Sequence, residues 1–362
     1  MRIAQIAPLD EAVPPALYGG TERVVSYLTE ALVDLGHDVT LFASGDSRTR
    51  AHLEAGWPHS LRFDPSVCDS LAPHLVMLER VRRRAPAFDI LHFHLGYLPF
   101  PVFSQLDTPF LTTLHGRLDL PELRSVFDVF PQAPVVSISD SQRAPLRHAN
   151  WIDTVYHGVP ASLLMPLPHV QPTYLAFLGR ISPEKRADRA IEIAARAGMP
   201  IRIAAKVDRA DEAYFRSVIK PLLAQPHVEF LGEINETEKP GFLSGARALL
   251  FPVDWPEPFG LAMIEAMACG TPVVAFNRGS TPEVVEHGVS GYIVDDIDGA
   301  VRAVAQLDAL SRSRVREQFE YRFTSRTMAL RYLDLYARLT RVHQPPLLRA
   351  VAGGGHDGIP GP

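Results

Sequence analysis

Two successive series of short apolar runs alternating with amphipathic helical stretches, separated by one proline-rich break, limit the folds open to this 362-residue chain. The first series begins with RIAQIA (residues 2–7), followed by TERVVSYLTEALVDLG (21–36) with apolar residues at helical spacing. Thr21 suits an N-cap and Gly36 a C-terminal stop. DVTLFAS (38–44), a helical region at 71–84, DILHFH (89–94), PFLTTLH (109–115), PVVSIS (134–139) and DTVYHG (153–158) continue the series. HGVPASLLMPLPHVQP (157–172) interrupts it and reads as a linker.

The alternation restarts with TYLAFLG (173–179), a helix over 187–198, PIRIAAK (200–206), a helix over 212–224 and VEFLG (228–232). A short helix to Ala246, ALLFP (248–252), a helix from Gly260 to Gly270 and PVVAF (272–276) follow. Strand–helix units of about 30 residues give parallel sheets with crossover helices. The expected fold is therefore α/β, with two doubly wound, Rossmann-like domains at 1–165 and 166–322. A long helix is expected at 323–342, with Tyr332, Leu335, Tyr336 and Leu339 on one buried stripe. The Gly/Pro-rich tail, 343–362, reads as disordered.

Composition narrows the function classes. Hydrophobic residues at 46% and charged residues at 21% give the profile of a soluble globular protein. No apolar run reaches the ~18 residues of a spanning helix, and MRIAQIAPL lacks the pattern of a secretory signal. Cys68 and Cys269 alone make neither a disulfide framework nor a metal motif, so a cytoplasmic enzyme is expected. A net charge of −5 argues against nucleic-acid binding. RVRRR (80–84) reads first as a solvated helix end, and second as peripheral contact with anionic lipid.

In doubly wound sheets ligands sit beyond the carboxyl ends of the strands. The loop after ALLFP, VDWPEPFG, runs straight into LAMIEAMACG, a helix that is apolar all round except for Glu265. A helix of that kind is buried, and a buried carboxylate needs a partner. The helix N-terminus suits a phosphate, and Gly260 allows close backbone approach. Glu257 and Glu265 flank that position, the layout required by a ribose, a diphosphate and a hexose in line. The plain alternative is a Glu265 paired with arginine for packing.

These residues resemble the glutamate-x7-glutamate motif of glycosyltransferase family 4, whose members have the two-domain GT-B fold. The resemblance implies that Glu265 binds the donor ribose and Glu257 the transferred sugar, with Phe259, Gly260 and Leu261 beside the diphosphate. GRISPEKRAD, after TYLAFLG, resembles the family's glycine-arginine and glutamate-lysine loop, so Arg180 and Lys185 are expected to neutralise the diphosphate. Taken alone, Glu184, Lys185, Arg186 and Asp188 read equally as solvated charges at a helix start. Gly19 and Gly20 match the family's glycine loop near the phosphate, and His115 a histidine close to the transferred sugar.

After the strand PIRIAAK the family commonly has a glycine-rich turn near the nucleotide base; here the segment is KVDRADEA (206–213), which leaves the base contacts open. His92 and His94 share a strand face and, with His115, are candidates for a three-histidine metal site. The resemblance favours the alternative without a metal or other cofactor. It implies a retaining hexosyltransferase using a nucleotide-sugar, UDP-glucose foremost, with an unidentified small-molecule, glycan or lipid acceptor. It also implies a last helix that crosses back to the first domain. The rival reading is a nucleotide-sugar epimerase or hydrolase on the same fold.

Overall fold

A computed structural model describes residues 1–17 and 19–343; the tail expected to be disordered lies outside them, apart from His343, which ends the last helix. The first sheet contains β1 (Arg2–Ile6), β2 (Asp38–Ser44), β3 (His52–Trp57), β4 (Ile90–Phe93), β5 (Phe110–Thr113), β6 (Val135–Ser137) and β7 (Trp151–Thr154). The second contains β8 (Tyr174–Ile181), β9 (Ile201–Val207), β10 (Val228–Gly232), β11 (Ala246–Phe251), β12 (Val273–Phe276) and β13 (Gly291–Val294). Their orders are β3-β2-β1-β4-β5-β6-β7 and β10-β9-β8-β11-β12-β13, and every pairing is parallel.

Strand order reverses beside the first strand of each sheet, at β1/β4 and at β8/β11. Such reversals open crevices at the carboxyl ends, where ligands bind. Central strands such as RIAQI and ALLF are buried on both faces, which explains their unbroken apolar runs. Edge strand β3, HLEAGW, is mostly half-exposed, so it lacks the apolar run that would mark it in the sequence. The strand expected at 153–158 begins earlier, at Trp151, and stops at Thr154; beyond it the chain leaves the sheet.

Among the described residues the chain passes between the sheets twice, and the two passages touch. Val159 N–H donates to the Phe323 carbonyl and Ser325 N–H to the Val159 carbonyl, each at 2.9 Å, closing a parallel bridge between Val159 and Thr324. Arg316 adds a clamp: its guanidinium donates to the carbonyls of Ala161 and Leu164, each at 2.7 Å, and to that of Ala268. The last helix, Ser325–His343, then packs on the Gly20–Asp34 helix of the first half. Tyr332, Leu335 and Tyr336 are buried, and Leu339 packs at their edge.

The Gly20–Asp34 helix carries a conflict in its first turn. Glu22 benefits from the positive end of the helix, yet it is 6% exposed. Burial, with smaller contributions from Asp10 and Glu11, pushes its carboxyl up to about 7.

Two outcomes are expected. A Cβ at Gly158 would press directly on the Thr324 carbonyl, so Gly158→Ala should cost about 1–3 kcal/mol. Gly241, where a Cβ meets nothing within 4 Å, is the control. Equal urea midpoints for the two alanine variants would refute the close crossing. For Glu22 the folded value lies above the unfolded one, so its contribution is intact below about pH 4.5 and is lost as pH rises through about 7. Glu22→Gln should therefore gain stability over the parent between pH 5 and pH 8, approaching about 3 kcal/mol. A difference independent of pH would contradict the raised value.

Candidate active site

The buried helix at the β11 switch point is Leu261–Ala268, and Gly260 caps it in the left-handed region, φ 82°. A Cβ at Gly260 would lie 2.7 Å from Met263 Cε and 2.8 Å from Phe251 Cζ, so only glycine fits the turn. The preceding loop is fixed from behind. Ser280 N–H donates to the Glu257 carbonyl at 2.9 Å, and Ser280 Oγ donates to the Phe259 carbonyl at 2.8 Å. This holds Glu257, which accepts from Lys185 Nζ at 2.5 Å and from Trp255 Nε1 at 2.7 Å. Lys185 also lies 5.4 Å above the Trp255 ring.

Arg180, expected in the loop after Gly179, lies inside β8, which runs on to Ile181. Its guanidinium faces Asp211 at 3.4 Å and Asp208 at 3.7 Å. Both carboxylates come from the segment that replaces the glycine-rich turn. Burial raises the Asp211 carboxyl, and Arg180 works against that shift.

Glu265 meets a lysine, not the arginine considered as the packing alternative. Lys239 Nζ donates to Glu265 Oε1 at 2.6 Å and to Glu236 Oε1 at 2.8 Å. Glu236 in turn pairs with Arg23 and accepts from Tyr27 Oη at 3.2 Å, both on the Gly20–Asp34 helix. A chain of opposite charges thus runs from Glu265 across the cleft to the first half. Glu236, Lys239, Arg23 and Tyr27 were not foreseen. ETEKP has the look of a solvated charge run, and nothing local in it signals that Lys239 turns inward.

On the opposite wall, Gly19 and Gly20 lead into the first helix, and His115 follows β5. The expected strand ran to His115, but pairing stops at Thr113, which leaves His115 in the loop. His94 Nδ1 lies 2.8 Å from His115 Nε2, and the His157 ring stacks on His115 at 5.2 Å. Burial holds His115 down to about 3 and His94 and His157 well below the usual histidine range, so all three are neutral near pH 7. His92 and His94 do not offer a three-histidine metal site with His115. Both ring nitrogens of each are engaged, His92 with Tyr336 and Thr113, His94 with His115 and Gln5.

One cavity of about 560 Å³ unites these parts. His115, Arg180, Lys185 and Glu257 line it, as do Gly19, Gly20, Phe259, Gly260, Leu261 and Glu265. The basic stretch at 80–84 lies elsewhere, with Arg82 and Arg83 on Glu79, Arg84 on Glu54, and Arg80 on the Ala55 carbonyl. Among the described residues, no helix is long and apolar enough to cross a membrane.

Comparison with known proteins agrees with this architecture. Residues 18–162 match the family described as Glycosyltransferase Family 4, and 167–323 match Glycosyl transferases group 1. A phosphatidyl-myo-inositol mannosyltransferase of Mycolicibacterium smegmatis is 27% identical over 95% of this chain and 94% of its own. A glycogen synthase of Mycobacterium tuberculosis is 25% identical over 92% and 94%. The crystal structure of AviGT4, a glycosyltransferase involved in avilamycin A biosynthesis, superposes with a TM-score of 0.73 at 26% identity. That match covers 94% of this chain and 98% of AviGT4. With two parallel Rossmann-like sheets, a returning C-terminal helix and both halves matched, this chain belongs to glycosyltransferase family 4 and has the GT-B fold.

Proposed function

We propose that the enzyme is a retaining hexosyltransferase that moves a hexose from a nucleotide-sugar to an acceptor hydroxyl without a metal. One observation carries this reading: two carboxylates, Glu257 and Glu265, flank a glycine-capped helix N-terminus that faces Arg180 and Lys185 in a single cleft. Glu265 takes the ribose hydroxyls and Glu257 those of the hexose. Between them, the helix N–H groups from Gly260 and Leu261 and the two cations take the diphosphate. Phe259 shapes the floor, and Gly19 and Gly20 let the first half approach the phosphates. His115, neutral, contacts the transferred sugar.

The two cations already face carboxylates of the protein, Lys185 on Glu257 and Arg180 on Asp208 and Asp211. A donor diphosphate competes for them, and its claim strengthens as the glycosidic bond breaks and charge builds on the leaving phosphate. The cations therefore stabilise the transition state more than the bound donor. The leaving phosphate accepts the proton of the acceptor hydroxyl on the same face, which retains configuration. Family usage makes UDP-glucose the first donor to try. The unpaired thiols of Cys68 and Cys269 suit a reducing, cytoplasmic setting. Incubation with donor and an acceptor library, read by mass spectrometry, tests the assignment. A glycosylated acceptor is the expected product; free hexose alone, or an epimerised donor, would overturn it.

Glu265→Ala should weaken nucleotide binding by about 1.5–3 kcal/mol, the value of a charged hydrogen bond, and Glu265→Gln by less. Lys239 keeps Glu236 as a partner in both variants. Calorimetry decides, and unchanged affinity in both would remove Glu265 from the ribose site.

Arg180→Ala and Lys185→Ala should lower kcat more than they raise the donor Kd. Transfer should also persist in EDTA. Loss in chelator with recovery on adding a divalent ion would disprove the metal-free scheme, and equal effects on kcat and Kd would confine the cations to ground-state binding.

A further inference from the structure

His115 ends a buried polar chain that the proposed chemistry leaves unused. His94 Nδ1 lies 2.8 Å from His115 Nε2, and His94 Nε2 lies 2.8 Å from Gln5 Oε1. On its other side, Gln5 Nε2 donates to Tyr336 Oη at 3.0 Å and faces His92 Nδ1 at 3.4 Å. Tyr336 Oη lies 2.7 Å from His92 Nδ1, and His92 Nε2 lies 2.7 Å from Thr113 Oγ1. Thr113 Oγ1 reaches Tyr332 Oη at 2.8 Å. Gln5 lies at the centre of the first sheet, in β1, and both tyrosines lie on the crossing helix. Gln5, His92, Thr113 and Tyr336 are 0% exposed.

With Gln5 Oε1 turned toward His94, the proton positions follow in order. A side-chain amide oxygen only accepts, so His94 carries its proton on Nε2 and gives it to Gln5. A neutral His94 then has a bare Nδ1, which only accepts, so His115 presents Nε2–H to it. His115 Nδ1 is left as a lone pair, and it is a buried atom with no hydrogen-bond partner in the protein. The opposite orientation of the Gln5 amide would reverse every proton and make His115 Nδ1 a donor. The amide orientation therefore sets what His115 can do. The amide nitrogen meets the Tyr336 hydroxyl of the crossing helix at 3.0 Å, closer than His92 Nδ1.

We propose that Gln5, held by Tyr336 of the crossing helix, is a positioning residue that fixes His115 in the Nε2–H tautomer, leaving Nδ1 to accept a hydrogen bond from a hydroxyl of the transferred sugar. The second half of this statement rests on the reading of His115 as a sugar contact. The first half concerns the protein alone.

Imidazole nitrogen NMR on 15N-histidine-labelled protein without donor reads the tautomer, with His115 assigned by its loss in His115→Ala. The expected spectrum has a protonated Nε2 and a bare Nδ1 at His115. Gln5→Met keeps the length and removes both hydrogen bonds, and should give mixed tautomers. Tyr336→Phe, which removes one oxygen from the helix stripe, should shift the mixture in the same direction by less. A protonated Nδ1 in the parent protein, or an unchanged His115 signal in Tyr336→Phe and in any folded Gln5→Met, overturns the proposal. In kinetics with UDP-glucose, or whichever donor proves active, Gln5→Met should lower kcat about tenfold, the value of one hydrogen bond of about 1.4 kcal/mol. The donor KM should change little. If His115→Ala leaves transfer intact while the tautomer responds as stated, the sugar-contact reading fails and the positioning device stands.

Discussion

The backbone bridge between Val159 and Thr324 is the constraint on which the rest of the molecule depends. Two chain passages join the halves, and they are hydrogen-bonded where they meet. Two separated passages would make a rigid frame; two at one point make a pivot. The other contacts between the halves are made largely by side chains. Arg23 and Tyr27 reach Glu236, while Glu283 accepts from the Asp140 and Ser141 N–H groups, each at 2.7 Å. Side-chain struts around a backbone pivot can exchange partners without altering either sheet. Arg316 extends the pivot by joining the linker carbonyls to the C-terminal end of the helix whose N-terminus faces the cleft.

Charge in the cleft follows a second rule. Arg180 and Lys185 have carboxylates of the protein close by, and Glu265 has Lys239. An unpaired charge in a part-buried cleft is costly, whereas a paired one can change partners at lower cost. Ligand binding in such a site is an exchange of partners, so its free energy is a difference between two sets of ion pairs. The segment with Asp208 and Asp211 supplies the carboxylates beside Arg180, although it departs from the glycine-rich turn common in the family.

Much of this was legible in the sequence, for identifiable reasons. Parallel strands buried on both faces read as continuous apolar runs, so β1, β2, β4, β8, β9 and β11 could all be found. The helix expected at 71–84 forms there. Edge strand β3 was missed because half-exposed polar residues leave no periodic signature. The loop residues at the switch points were named through the resemblance to family 4, and they line one cavity. Partners far apart in sequence could not. Lys239 for Glu265, Asp211 for Arg180, and Tyr336 for Gln5 across 331 residues are products of tertiary packing, and no short window contains both members of any pair.

The crossing helix has a consequence for how the chain is made. Its stripe of Tyr332, Leu335 and Tyr336 completes the core of the first half and satisfies the buried polar groups of Gln5, His92 and Thr113. Those groups are synthesised long before their partners, Gln5 preceding Tyr336 by 331 residues. At ordinary ribosomal rates, roughly 10–40 s separates the end of the first sheet from the emergence of that helix. Throughout that interval the first half must wait with one apolar face and a set of polar groups open to water. The second half, by contrast, has all six strands of its sheet in hand before the crossing helix appears. The order of maturation on the ribosome therefore inverts the order of the two halves: the second sheet can close first, and the first sheet is completed only when the crossing helix arrives.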